Sequence, residues 1–388
     1  MDVLIDLGEV RDTQRPDRPR PPPSKGWRIT LLVLVCALLG GAAAPARLPG
    51  LVGPALPGRA ALLSAGALLV VADPGTDPPT LTAYEATAPR RPPRWRVTVP
   101  PAAGWSAQAA GDLLLVTERD QVRRVVATTA RLASTGQALW RRPGRVYAAG
   151  DTVVAVTEVR SVSEPGRRIE GAVHGVDPAT GATRWSVPVP STAVLEVPPG
   201  SSGWVLLVQD DGLTRLLDAH DGTLRGQGRL PAANYGPENP QVIGGHLVLR
   251  HPGAAGVVLT GYDLPGLAPR WQVPVDPGEL ALRPCQDLIC GQDERSRWAL
   301  AADTGARVWT WPAGTGWRTL PGGRPGDGTL VLLRPAADGR RQLIATLGRD
   351  GPRVRAVLPP EATDCRVRDV GLVCRSDTDR ATVWPLGR

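Results

Sequence analysis

The side chains of this 388-residue chain best suited to chemistry are four cysteines, four histidines and one acidic pair. Cys285, Cys290, Cys365 and Cys374 form an even set beyond the apolar N-terminal run that holds Cys36. In an oxidising compartment such a set reads as two disulfides. Of the three pairings the local one is favoured: Cys285 and Cys290 centre on Asp287-Leu288, and Cys365 and Cys374 on Asp369-Val370. Residues opposed across a hairpin bring their Cβ atoms within bridging reach. Each short loop makes its bond worth roughly 2–3 kcal/mol in the chain-entropy account. Zinc is the competing chemistry, but C-x4-C and C-x8-C spacings lack the paired C-x2-C knuckles of a structural site.

The remaining candidates carry less. His246 and His251 flank LVLR, which reads as strand, so their side chains point to opposite faces and cannot chelate one ion. His174 and His220 adjoin turns and read as surface residues. Asp210-Asp211-Gly212 could begin a calcium loop, yet Asp-Gly is first a hairpin turn and the remaining ligand ladder is missing. Lys25 is the only lysine and lies in the N-terminal tail, which excludes a Walker phosphate loop. GxSxG and HExxH are absent as well. No residue is assigned a catalytic, cofactor-binding or metal-binding role, and no cofactor is expected.

The elements that would position any site are repeats. The phrase DPATGATRW runs from Asp177 through Thr180 and Gly181 to Trp185. LASTGQALW places Gly136 four residues before Trp140, and AADTGARVW places Gly305 four before Trp309. Asp263 lies eight residues before Trp271, and Asp218 with Gly222 keeps the Asp-to-Gly spacing without the Trp. A phrase recurring every few tens of residues marks an array whose units bury a core only together. Around it, short β-rich runs alternate with turn signals in units near 59–100, 101–143, 144–190, 191–231, 232–276, 277–313 and 314–358. Four short strands per unit fit the blade of a β-propeller. The stretch from Glu361 onward supplies three strands, leaving residues 46–58 or the first unit's own strands to complete the last blade. The expected fold is all-β: an eight-bladed β-propeller, with seven blades as the alternative.

In each copy the phrase falls where the third strand turns into the fourth. Asp can cap the turn, Gly accepts positive φ, and Trp on the outer strand can bury against the neighbouring blade. A structural role for these tryptophans is favoured over a binding one. The Asp, Thr-Gly and Trp pattern resembles the pyrroloquinoline-quinone-type repeat of bacterial eight-bladed propellers, across roughly residues 59–388. Some copies depart from it: Thr87, Leu132 and Ala301 stand at the Asp position. The family includes quinone-dependent alcohol and sugar dehydrogenases and non-enzymatic scaffolds such as the lipoprotein of the Gram-negative outer-membrane assembly machine. The dehydrogenases carry adjacent cysteines beside the cofactor, a metal ion and a catalytic Asp. This chain has no Cys-Cys pair and only two asparagines, Asn234 and Asn239, so the resemblance implies the non-enzymatic branch.

Ahead of the repeats lies an apolar run from Ile29 to Ala44 without a charge. Its sixteen residues span about 24 Å as a helix, and Trp27 and Arg28 can extend it at the interface. Arg15, Arg18, Arg20, Lys25 and Arg28 precede it, whereas Arg47 alone follows before Arg59. The positive-inside rule then puts the tail in the cytoplasm and the repeats outside. The segment 27–46 is expected to be an uncleaved single-pass signal anchor, the alternative being a cleaved signal peptide and a secreted product. Residues 1–26, with RPDRPRPPPSK, are expected to be a disordered cytoplasmic tail, and 47–58 a linker or closing strand. Phe is absent and Arg replaces Lys almost throughout, the mark of a high-GC bacterial genome. The net charge of +8 implies an ordinary soluble exterior rather than a nucleic-acid binder. The expected product is a monomer acting as a membrane-anchored, extracytoplasmic scaffold, with a protein or cell-envelope polymer as partner. An enzyme or small-molecule binder using the propeller channel, and an outside-to-inside signal relay, are the alternatives. The loop around Val162 to Arg168 is expected to vary with partner.

Overall fold

The computed structural model describes residues 50–158, 168–198, 203–235, 239–276, 282–293, 295–320, 330–368, 370–376 and 379–386. The tail, the apolar run 29–44 with Cys36, and residues 162–167 lie outside them. Among the described residues no helix is long and apolar enough to cross a membrane.

Among the described residues, thirty-one strands form six four-stranded sheets and one seven-stranded sheet, all neighbours in chain order but for one. The first unit is β2 (Ala61–Ala65), β3 (Leu68–Asp73), β4 (Thr80–Glu85) and β5 (Trp95–Thr98). The second is β6 (Gly104–Ala110), β7 (Leu113–Arg119), β8 (Val125–Leu132) and β9 (Ala138–Pro143). The seven-stranded sheet holds β10 (Arg145–Ala149), β11 (Thr152–Glu158), β12 (Arg168–Val176), β13 (Thr183–Glu196), β14 (Trp204–Gln209), β15 (Leu213–Asp218) and β16 (Leu224–Arg229). There the long β13 ends one four-stranded unit and begins the next, pairing β12 mainly through its first half and β14 through Ala193–Glu196. Next come β17 (Gln241–Ile243), β18 (His246–Gly253), β19 (Gly256–Tyr262) and β20 (Pro269–Pro274). They are followed by β21 (Arg283–Cys285), β22 (Leu288–Gln292), β23 (Ser296–Ala301) and β24 (Arg307–Pro312). The seventh unit is β25 (Arg318–Thr319), β26 (Leu330–Pro335), β27 (Gln342–Gly348) and β28 (Gly351–Leu358). The last three strands, β29 (Ala362–Arg368), β30 (Gly371–Ser376) and β31 (Arg380–Trp384), take their fourth partner from the other end of the repeats. That partner is β1 (Leu51–Ala55), antiparallel to β31 with Leu51 opposite Val383, so the missing strand comes from the segment ahead of the first unit.

Burial explains the composition of each strand. Second strands such as β3 and β7 are covered along nearly their whole length, and they are Leu/Val runs without alternation. Fourth strands β16, β20 and β24 alternate half-buried with exposed residues, as an edge strand covered on one face must. Among the described residues the buried side chains form eight clusters, seven drawn from two consecutive units and one from the first and last. Leu63, Val70 and Trp95 meet Trp105 and Leu114 in one of them. In another, Leu69 and Val71 of the first unit meet Val373 and Val383 of the last. No unit therefore owns a complete core, which is why the units stabilise one another only as an array.

Candidate functional site

The repeated phrase does form the turn between third and fourth strands. Asp177 Oδ1 accepts hydrogen bonds from the Ala179 and Thr180 amides, both at 2.9 Å. Its Oδ2 accepts from Arg184 Nε at 3.2 Å and Nη2 at 2.6 Å. The bond from Arg184 and then the Thr180 amide pull the Asp177 pKa down to about 2. Asp218 meets Arg225 and Asp263 meets Arg270 in the same frame. The acid is nonetheless dispensable for the backbone. Gly181 N donates to Asp177 O at 2.8 Å, and Gly136 and Gly305 donate equally to Leu132 O and Ala301 O.

The tryptophan is the more demanding residue. Each indole N–H donates to a carbonyl in the next unit: Trp95 to Ala133, Trp140 to Pro178, Trp185 to Ala219, Trp271 to Ala302 and Trp309 to Gly348, at 2.8–3.2 Å. In four of these the ring also lies against the next turn's glycine. A Cβ at Gly136, Gly181, Gly222 or Gly305 would come within 2.7 Å of Trp95, Trp140, Trp185 or Trp271 respectively. Opposite the five rings across their own sheets stand Ala83, Ala130, Gly175, Gly261 and Ala299. The phrase is thus one half of an inter-unit joint, with small residues on either side of a large flat ring.

One joint is built differently. Gly226 occupies the Trp position, Leu216 faces it across the sheet, and Leu267 stands where the next turn should carry glycine, at φ 56. Leu216 and Leu267 pack in one cluster, and the Pro265 carbonyl backs onto Gly226, within 2.1 Å of where a Cβ would be. Volume lost at Trp has been returned by two leucines. Sequence reasoning missed this compensation, although all three positions are in frame with the other copies.

The four cysteines form Cys285–Cys290 and Cys365–Cys374, with Cα atoms 6.0 and 4.0 Å apart. Their registers differ from simple opposition. Cys285 faces Leu288 and Cys290 faces Arg283, because the two-residue turn is Gln286-Asp287, with Gln286 at φ 60. The first bond is therefore diagonal. In the second hairpin a bulge between Thr363 and Arg366, with Asp364 at φ 40, sets Cys374 across from two residues at once.

His251 is buried, with its ring nitrogens 2.8 Å from Thr260 Oγ1 and from Pro252 O. His246 starts the same strand and sits 3.5 Å from Asp263, an ion-pair distance beyond good hydrogen bonding. His174 is half-buried in β12 rather than on the surface, and burial followed by the Arg142 guanidinium lowers its pKa. His220 is exposed. Asp211 and Gly212 form a hairpin turn, the carboxylate accepting from the Leu213 amide at 2.9 Å and pairing with Arg229. The asparagines do not fit a metal set: Asn239 is buried and donates to Asn234 O at 2.9 Å and Arg250 O at 2.8 Å. Among the described residues no group of three or more His, Cys, Asp or Glu could hold a metal ion.

Two charged places were not legible in the sequence. Glu118 is almost fully buried and is matched by Arg141 Nη2 at 2.7 Å and Thr129 Oγ1 at 3.1 Å. Arg297 is also buried, but its Nε and Nη1 have no hydrogen-bond partner. It lines a half-open cleft of about 350 Å³ with Gln292, Trp309 and Thr319, between the sixth and seventh units. Desolvation holds the Arg297 pKa below the usual guanidinium value.

A PQQ-type repeat model, described as outer membrane protein assembly factor BamB, matches residues 169–294. The fold is similar to that of BamB from Moraxella catarrhalis at a TM-score of 0.51 and 16% identity, over 88% of this chain and 98% of that one. The repeat match and the fold together support a PQQ-like β-propeller. Proteins of other origin share the fold. The computationally designed Ika8 protein matches at TM-score 0.52 and 12% identity, over 85% of this chain and 98% of that one. The C-terminal WD40 domain of Sif2 matches at 0.51 and 9%, over 87% and 96%. No curated protein matches the sequence. Within this propeller fold the Trp–Gly joints tie consecutive units together, and the cleft at Arg297 lies between two of them.

Proposed function

We propose that this chain is an eight-bladed, membrane-anchored propeller that acts as a binding or assembly scaffold on the extracytoplasmic side of a bacterial envelope. The observation that carries this reading is the match of residues 169–294 to a model described as an outer membrane protein assembly factor. Two further features support it. Two cross-strand disulfides suit an exported domain. Eight inter-unit clusters, the last joining both ends of the array, suit a closed ring whose faces stay rigid enough to present loops to a protein partner. The anchor is the apolar run 29–44 and the arginine-rich tail stays inside.

The test combines topology with cross-linking in the native cell. Val122 is 64% exposed, so Val122→Cys offers a handle for an impermeant maleimide. Labelling in intact spheroplasts, together with a discrete protein adduct from a photo-cross-linker at an exposed loop, is the expected result. Labelling only after lysis sinks the extracytoplasmic placement. Absence of a discrete adduct from every exposed loop sinks the scaffold role.

A further inference from the structure

The cleft between the sixth and seventh units has an unusual charge balance. Arg283 of β21, Arg297 of β23 and Arg318 of β25 all line it, and among the described residues no carboxylate does. Arg297 is nine-tenths buried, and two of its three guanidinium nitrogens have no acceptor. The contrast with Glu118 is informative, since that buried charge is met by Arg141 and Thr129. A guanidinium taken out of water without an acceptor is destabilising, because its lost hydration is not replaced. An anion entering the cleft would replace it, and charge-assisted bonds to Arg are among the stronger hydrogen bonds. The far wall is apolar, formed by Leu330, Leu332 and Leu347. Its volume of about 350 Å³ falls at the lower end of small-molecule sites.

We infer that this cleft binds a small amphipathic carboxylate, with its anionic head on Arg297 and the flanking arginines and its apolar body on the leucine wall. Arg297 supplies the buried, desolvated contact. Arg283 and Arg318 are exposed and attract the anion to the mouth. The leucine wall favours a ligand that carries a hydrophobic body over a bare anion. The inference does not depend on the scaffold reading, and a ligand there need not undergo reaction.

The test is calorimetric titration of the purified full chain with phenylacetate, inorganic phosphate and phenethylamine, alongside Arg297→Met and Arg318→Ala. Phenylacetate should saturate one site and raise the melting temperature, phosphate should bind at least about tenfold more weakly, and phenethylamine should not bind. Arg297→Met should lose about tenfold or more in affinity. Arg318→Ala, at an exposed position where folding is not at stake, should lose several-fold and steepen nothing else. Three results overturn the inference: no saturable phenylacetate binding to the wild type, equal binding by folded Arg297→Met, or phosphate binding as tightly as phenylacetate.

Discussion

The Trp140–Gly181 joint allows the repeat's logic to be measured. Trp140 is buried, donates to Pro178 O at 2.8 Å, and lies 2.7 Å from where a Gly181 Cβ would stand. Gly181 has φ 73. Gly181→Ala then meets two penalties: about 1–2 kcal/mol for an L-residue in the left-handed region, and about 1–3 kcal/mol for forcing the indole off its bed. Trp140→Ala alone should lose about 3–5 kcal/mol, the usual range for emptying a buried aromatic site. In the double variant the clash disappears, so Gly181→Ala should cost only the backbone part. The coupling is therefore about 1–3 kcal/mol and favourable. Urea unfolding of the four proteins measures it, with hydrogen exchange at the Gly181 amide as a local reading of the turn. If Gly181→Ala is equally destabilising with and without Trp140, the ring does not explain the glycine and the joint is misread.

Two other predictions follow from the structure. Leu267→Gly would make the irregular turn conform to the repeat and relieve a positive φ of 56, yet it should destabilise by about 2–5 kcal/mol because a buried leucine is lost; a stabilised variant in thermal unfolding would refute the compensation. Asp177 and Asp338 are each held from 3.8 down to about 2, by the Arg184 guanidinium and by the Arg341 amide respectively. Since depressed folded values stabilise above the unfolded pKa and that contribution is lost as pH falls through the folded one, wild-type stability should drop between about pH 4 and 2. Asp177→Asn with Asp338→Asn should flatten that part of the melting-temperature profile, and parallel curves would show that these carboxylates are not responsible.

Much of this molecule is legible in its amino-acid sequence. Leu/Val runs punctuated by glycine turns placed the strands, and the phrase ending at Trp140, Trp185 and Trp309 placed the third-to-fourth turns, because both signals are local. Pairing of the cysteines by proximity was equally local. Only the folded chain decided which residue faced which: a positive φ at Gln286 makes one disulfide diagonal, and a bulge at Asp364 sets the other. The same holds for the substitution of Trp and Gly by Gly226 and Leu267, whose complementarity exists only across two units. Arg297 is the extreme case. In the sequence it is one arginine among many. What leaves it buried without a partner is the meeting of two sheets, and long-range packing of that kind is set by tertiary contacts that no short stretch of residues encodes.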